Sequence, residues 1–287
     1  MPRPRKSASP DPKPFVKWAG GKRQLLPDIR ANLPEDSESL RYFEPFLGGG
    51  AVLFRLRPAR AVVSDLNRDL MGAYMALKDA PGQVIRRLKE LAGDLSARRY
   101  YEVRDMDRAE GYPQLTAAER AARLIYLNRT CYNGLYRVNS RGHFNVPRGS
   151  YADPAVCNEE ALRSAAAYLR EADVNILCGD FADAVREAGE GSLVYFDPPY
   201  HAPDRNFTSY QSGGFGESEQ ERLRDVYAEL TSRGAKCLLS NADTPFIRYL
   251  YGNTGFRIVP VQAARAINSR AGGRGKVGEV LVRNYGP

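Results

Sequence analysis

The 287-residue sequence predicts an α/β protein, a sheet interrupted by a helical insert that carries a hairpin. Three observations predict it. From Phe15 to about Asp69, short apolar segments alternate with glycine turns, the rhythm of a strand, turn, helix and strand unit. From about Leu70 to Cys157, apolar residues recur at three- and four-residue spacing, which is helical. From about Glu159, short apolar strands return and continue to the end.

Each element has its reason. MPRPRKSASPDPKP has no apolar stretch after its basic residues, so residues 1–13 read as a disordered basic tail and not a signal peptide. RYFEPF reads as a strand running into LGGG, AVLFRL starts a helix, and ARAVVSD is the next strand. PGQVIRRLKELAGDLSARRYYEVRDMDRAE and TAAERAARLIYLNR are helical. GLYRVNSRGHFNVPRG reads as two short strands joined at SRG, an arginine-bearing hairpin. VNILCGD, SLVYFD, AKCLLSNAD, GFRIVPV and GEVLVRNY are strands, and SEQERLRDVYAELTSRG is an amphipathic helix closed by Gly234. The expected domains are 14–69 with 158–287, interrupted by an insert over 70–157.

Hydrophobic residues make up 43%, which suits a globular chain. No apolar run approaches the roughly 20 residues of a membrane span. The net charge of +8 suits a polyanionic partner. Four scattered cysteines without a CxxC pair, and two histidines, argue against a zinc site. Reduced thiols in a cytoplasmic protein are the simplest reading.

Three stretches carry chemistry. In EPFLGGG, glycines after a strand let backbone approach a ligand, although a tight turn without one is the plain alternative. The stretch is not GxGxxG, so the dinucleotide fingerprint fails. Asp65 ends the next strand, placed either for ribose hydroxyls or as a helix N-cap. A ribose ligand without phosphates makes S-adenosylmethionine attractive. FVKWAGGKRQLL holds the single tryptophan, Trp18, between Lys17 and Lys22, and it lacks the P-loop pattern. Trp18 could equally be a core residue.

The third is YFDPPY, Tyr195 to Tyr200. Proline cannot donate to a sheet ladder, so two in a row end the strand. Asp197 can accept from an amino group, and the Pro198 carbonyl from the same group. Tyr200 offers a face on which a flat base can stack. The alternative is an Asx turn closed by prolines.

FVKWAGGK, EPFLGGGAVLF, SDLN, LNRTCYNGLYRVNSRGHFNVPRG and DPPY occur in this order. The set resembles the Dam-type DNA adenine-N6 methyltransferases, with cofactor motifs first and a recognition insert before DPPY. The likeness runs from about Phe15 to Tyr285. It implies a Rossmann-like methyltransferase sheet, S-adenosylmethionine as methyl donor, no metal, and double-stranded DNA as substrate. It implies catalytic roles for Asp197, Pro198 and Tyr200. It implies cofactor contacts from Trp18, Lys22, Asp65 and Leu66 beside it, and Asp197. Glu44, Pro45 and Phe46 match the family's strand-end loop, and Asp180 and Phe181 match the segment beside the cofactor adenine. Tyr132, Asn133, Leu135, Arg137 and Pro147 match DNA-facing positions, and Lys17 a position near the target. LGGG departs from the family's usual G-x-G turn, which touches cofactor contacts only.

The resemblance further implies flipping of an adenine in GATC, with a longer GAT-containing site as the rival. Cytosine-N4 methylation usually has serine at the Asp197 position. Protein-glutamine methylation has NPPY and lacks YNGLYRVN. A non-catalytic DNA-binding module would not need DPPY with Asp65. The expectation is a cytoplasmic monomer, with a restriction endonuclease as a conceivable partner. Residues 201–216, rich in glycine and polar residues, are expected to act as a lid.

Overall fold

The computed structural model describes residues 11–22, 24–202, 214–252, 254–263 and 277–286. Residues 1–10 of the expected tail and 203–213 of the expected lid lie outside the described residues.

Among the described residues the strands are β1 (Arg41–Glu44), β2 (Arg60–Asp65), β3 (Asp173–Cys178), β4 (Ser192–Phe196), β5 (Lys236–Ala242), β6 (Arg257–Ala263) and β7 (Val277–Arg283). The helices are α1 (Leu26–Ala31), α2 (Ala51–Leu56), α3 (Arg68–Asp79), α4 (Pro81–Ala92), α5 (Ala97–Asp105), α6 (Ala117–Thr130), α7 (Glu159–Glu171), α8 (Phe181–Ala184), α9 (Glu217–Ser232) and α10 (Pro245–Gly252). The chain divides into two compact units. One takes the residues up to Gly21, Gly48–Arg57 and Asp69–Ala172; the other takes Lys22–Leu47, Pro58–Arg68 and the residues from Asp173 onward.

The second unit holds the sheet, in the order β3-β2-β1-β4-β5-β7-β6. The strands β1 to β5 pair in parallel, and β7 runs antiparallel to both its neighbours. This is the Rossmann-like methyltransferase sheet that the motif order implied. Parallel strands are covered on both faces, so they read as continuous apolar runs, and all five residues of SLVYF are buried. In register, Phe43 lies between Val62 and Val194. These three pack with Phe196, Leu239, Leu223, Tyr227 and Leu250 in one cluster. Full burial of a side chain such as Phe196 contributes about 1.5–3 kcal/mol.

Gly234 stops α9 by the expected device. Its φ is +81°, its N–H donates to Thr231 O, and the Ala235 N–H donates to Leu230 O, both at 3.0 Å. That is a Schellman closure, which needs a residue that tolerates the left-handed conformation.

The first unit is helical. There α4 packs on α6, with α5 on α6 and α7 on α4. Thr116 starts α6 with a capping box: its Oγ1 accepts from the Glu119 N–H at 3.2 Å, and its own N–H donates to Glu119 Oε2 at 2.9 Å. The expected hairpin turns at SRG, and its pairing is short. Val138 and Phe144 form one antiparallel bridge, and Cys131 and Arg148 another. Beside the first bridge the Asn139 N–H donates to His143 O at 2.9 Å and the Asn145 N–H to Arg137 O at 3.0 Å, while Asn139 Oδ1 takes the His143 N–H at 3.0 Å in place of a backbone acceptor, which keeps the pairing short.

Candidate active site

In the second unit, the strand order turns around between β1 and β4: β2 lies beyond one and β5 beyond the other. Open α/β sheets bind ligands outside the carboxyl ends of their strands at such a point. Here β1 ends in Glu44, followed by Pro45 and Phe46, and β4 runs directly into Asp197.

Asp197 sits in a network of polar groups. Lys22 Nζ is 2.7 Å from its Oδ1, with the two side chains 8% and 17% exposed. Ser240 Oγ donates to the same Oδ1 at 2.9 Å and lies 3.0 Å from the Tyr195 hydroxyl. Both contacts fall on Oδ1. Burial raises the Asp197 carboxyl above its ordinary value, and Lys22 and Ser240 pull it back. Pro198 is buried. The Lys22 ammonium lies 4.4 Å from the centroid of the Tyr200 ring, so that face accepts a cation. The Tyr200 hydroxyl donates to Glu279 Oε2 at 3.0 Å, and burial raises the phenol.

Beside this, Phe46 stacks on Phe181 with centroids 5.3 Å apart, and the Phe215 edge meets Phe46 at 5.5 Å. Asp180 precedes Phe181, and its Oδ1 accepts the Ala182 N–H at 2.9 Å, capping α8. Arg222 bonds both Asp180 oxygens and covers the Phe181 ring at 4.4 Å. The Arg222 bond holds the Asp180 carboxyl below its usual range. Asp65 ends β2, and its Oδ1 accepts the Asn67 N–H at 2.9 Å. This is an Asx turn leading into α3, not a bond to the helix's second or third amide. Leu66 next to it is 72% exposed, a large apolar side chain at the strand end. Glu44 is buried and accepts from the Tyr42 hydroxyl at 3.0 Å.

In the first unit, Trp18 accounts for part of the glycine turn. A Cβ on Gly48, where φ is +50°, would lie 3.0 Å from Trp18 Cδ1, and one on Gly49 would lie 3.3 Å from Trp18 Cβ. The glycines there leave room for the indole. Trp18 also meets the Tyr136 ring at 5.6 Å.

The same unit gathers Lys17, Tyr132, Asn133 and Pro147. The Lys17 N–H donates to Asn128 Oδ1, and Asn128 Nδ2 donates to Lys17 O, both at 2.7 Å. Asn128 Nδ2 also donates to Gly134 O at 3.0 Å, fixing the Tyr132–Gly134 turn. A Cβ on Gly134 would lie 2.7 Å from Lys17 Cδ. Tyr132 N–H donates to Pro147 O at 2.9 Å. Tyr132 and Leu135 are exposed large side chains, and Asn133 and Pro147 are exposed too. Arg137 is exposed as well, but its Nε donates to Asn145 Oδ1 at 2.7 Å, so the guanidinium is steered.

Ser240, Arg222, Gln220, Asn241, Glu279 and Asn128 escaped the sequence reading. Two had a visible signal. Gln220 stands on the face of α9 that carries Leu223, Tyr227 and Leu230, and Asn241 lies within the wholly buried run of β5.

The model of the D12 class of N6 adenine-specific DNA methyltransferases matches residues 18–267. The chain is 42% identical to the Type II methyltransferase M1.LlaDCHI of Lactococcus lactis subsp. cremoris, covering 96% of each chain. It is also 42% identical to the Type II methyltransferase M.MjaIII of Methanocaldococcus jannaschii, over 95% of this chain and 99% of that one. With the DNA adenine methylase of Escherichia coli it shares 36% identity, over 93% and 94% of the two chains. Among solved structures, an rRNA methyltransferase, aviRa from Streptomyces viridochromogenes, aligns at a TM-score of 0.35 and 16% identity over 94% of this chain and 89% of that one, too slight a likeness to argue from. A match across most of the sequence, to a family whose reaction suits a carboxylate and an aromatic face at a strand end, places this chain in the D12 class of N6 adenine-specific DNA methyltransferases.

Proposed function

We propose that the protein methylates N6 of an adenine swung out of duplex DNA, in the sequence GATC, with S-adenosylmethionine as donor. The observation that carries this is Asp197, held through Oδ1 at the end of β4 beside the Tyr200 ring. When bound, S-adenosylmethionine supplies a methyl group on a sulfonium, which N6 attacks as the carbon–sulfur bond breaks and its electron pair stays with sulfur. Asp197 and the Pro198 carbonyl accept the amine's hydrogens and turn the nitrogen lone pair toward the methyl. Asp197 acts as an acceptor first, since the N6 proton becomes acidic only after attack and then leaves by way of this carboxylate. Tyr200 stacks on the ring, which offsets part of the few kcal/mol that unstacking costs. Positioning supplies most of the acceleration.

Residues of the second unit suit the donor. The Phe46–Phe181 pair offers a flat apolar face for a purine, Asp180 borders it, and the Asp65 carboxylate suits ribose hydroxyls. Lys22, Leu66, Glu44 and Pro45 complete the proposed contacts in that unit, and Trp18 is proposed as a donor contact on the family motif alone. Asp65→Ala is expected to weaken S-adenosylmethionine by about 1–3 kcal/mol by calorimetry. An unchanged dissociation constant would remove Asp65 from donor binding and leave it a structural residue of the Asx turn.

Residues 70–157 are proposed to read DNA. Arg137 would bond O6 and N7 of a guanine, and Leu135 and Pro147 would meet a thymine methyl. Lys17, Tyr132 and Asn133 would hold the backbone near the target. Arg137→Ala is expected to cost about 1–3 kcal/mol and to relax preference at one guanine. Relatives named Type II methyltransferases support a restriction setting. Among the described residues no helix is long and apolar enough to cross a membrane. Single-molecule sequencing of DNA from expressing cells tests the target: modified adenines in GATC are expected, and modification elsewhere with GATC bare would overturn it.

A further inference from the structure

We propose that Gln220, Asn241 and Glu279 are positioning residues that fix the Tyr200 ring for the target base. All three side chains are buried in the sheet unit, at 0%, 0% and 6% exposure. Each meets the segment around Tyr200 at a different point. Gln220 Nε2, from α9, donates to the Pro199 carbonyl at 2.8 Å. The His201 N–H donates to Asn241 Oδ1, on β5, at 3.1 Å. These are the two peptide groups that flank Tyr200, so its backbone is held on both sides. Asn241 Nδ2 donates to Gln220 Oε1 at 3.0 Å, joining the two amides into one unit. The third point is the far end of the ring, where the hydroxyl donates to Glu279 Oε2 on β7, at 3.0 Å.

Polar side chains this buried cost free energy unless they are bonded, and here each bond runs to the turn or to a partner that holds it. Prolines stiffen the turn on one side only, since both precede Tyr200. The amide pair and the carboxylate supply what prolines cannot, a fixed ring plane. A carboxylate on the phenol also makes the ring a better face for positive charge, and the Lys22 ammonium already lies over it.

The inference rests on the reading of Tyr200 as the stacking face, and the test separates the two. Methyl-transfer rates at saturating DNA and donor would be measured for Tyr200→Ala, Tyr200→Phe, Glu279→Gln, Glu279→Leu and the Tyr200→Phe/Glu279→Leu pair. Glu279→Leu is expected to lower kcat about tenfold with the donor's KM unchanged, while Glu279→Gln, which still accepts, retains most of the rate. In the Tyr200→Phe background, Glu279→Leu should cost nothing further, because no hydroxyl is left to hold. An equal loss in both backgrounds, or no loss in the wild type, overturns the proposal. Full activity of Tyr200→Ala would instead overturn the stacking reading itself. Should Glu279→Leu not fold, Gln220→Leu takes its place: a loss of kcat that disappears in the Tyr200→Ala background supports the clamp, and one that persists there rejects it.

Discussion

Replacing Asp197 by alanine is expected to abolish methyl transfer, by about a thousandfold or more, the scale of losing one preorganised polar group at a reacting centre. The fold should survive, since the strand before Asp197 is held by the apolar run of β4 and not by the carboxylate. Asp197→Asn should retain a trace, because its carbonyl oxygen still accepts, while the charge that Lys22 pairs with is gone. The pH profile carries the same logic. Burial raises the Asp197 carboxyl, so the acid limb of the transfer rate should lie above the ordinary aspartate range. Lys22 lowers that carboxyl, so Lys22→Met should move the acid limb to still higher pH. Turnover of the alanine variant near the wild-type rate would defeat the mechanism.

The largest effect on stability is expected in the helical unit, at Asp107→Ala. Arg123 and Asp107 form a pair at 2.8 Å whose side chains are 4% and 9% exposed. Arg123 Nε also donates to the Val103 carbonyl at 2.9 Å, and Asp107 Oδ2 accepts the Phe144 N–H at 2.7 Å. The pair therefore ties α5, α6 and the segment after Arg137 together. Removing one partner leaves the guanidinium buried without its carboxylate, a loss of about 3–5 kcal/mol. A urea midpoint shift of that size is expected, with faster amide exchange at Phe144. A loss below about 1 kcal/mol would show that the backbone carbonyls suffice, on the scale of ordinary hydrogen bonds.

Sequence patterns located the strand ends well because the signals there are local. Two prolines in a row cannot extend a strand inside the sheet, so DPPY had to follow β4; apolar runs bounded by glycine or an acid marked β1 and β2. The Gly234 stop was legible for the same reason. Partners from distant segments were not legible. Nothing near Asp197 says that Lys22 and Ser240 share one of its oxygens, because that contact exists only once the sheet brings them together. The hairpin turning at SRG was legible, but its shortness was not: Asn139 Oδ1 takes the His143 N–H that a longer ladder would use. The glycine turn was read for its freedom and not for its neighbour, and the neighbour is Trp18. Glu279 in GEVLVRNY looked like an ordinary polar residue of a strand, and only its burial beside Tyr200 sets it apart.

The central claim is a methyl group placed on adenine N6 in GATC. Purified protein would be incubated with label on the donor methyl and a duplex holding one GATC, with a duplex lacking GATC and the Asp197→Ala variant as controls, and the DNA digested to nucleosides. The account predicts label in N6-methyladenine from the GATC duplex alone. Label on cytosine N4, equal label in both duplexes, or label from the alanine variant would contradict it.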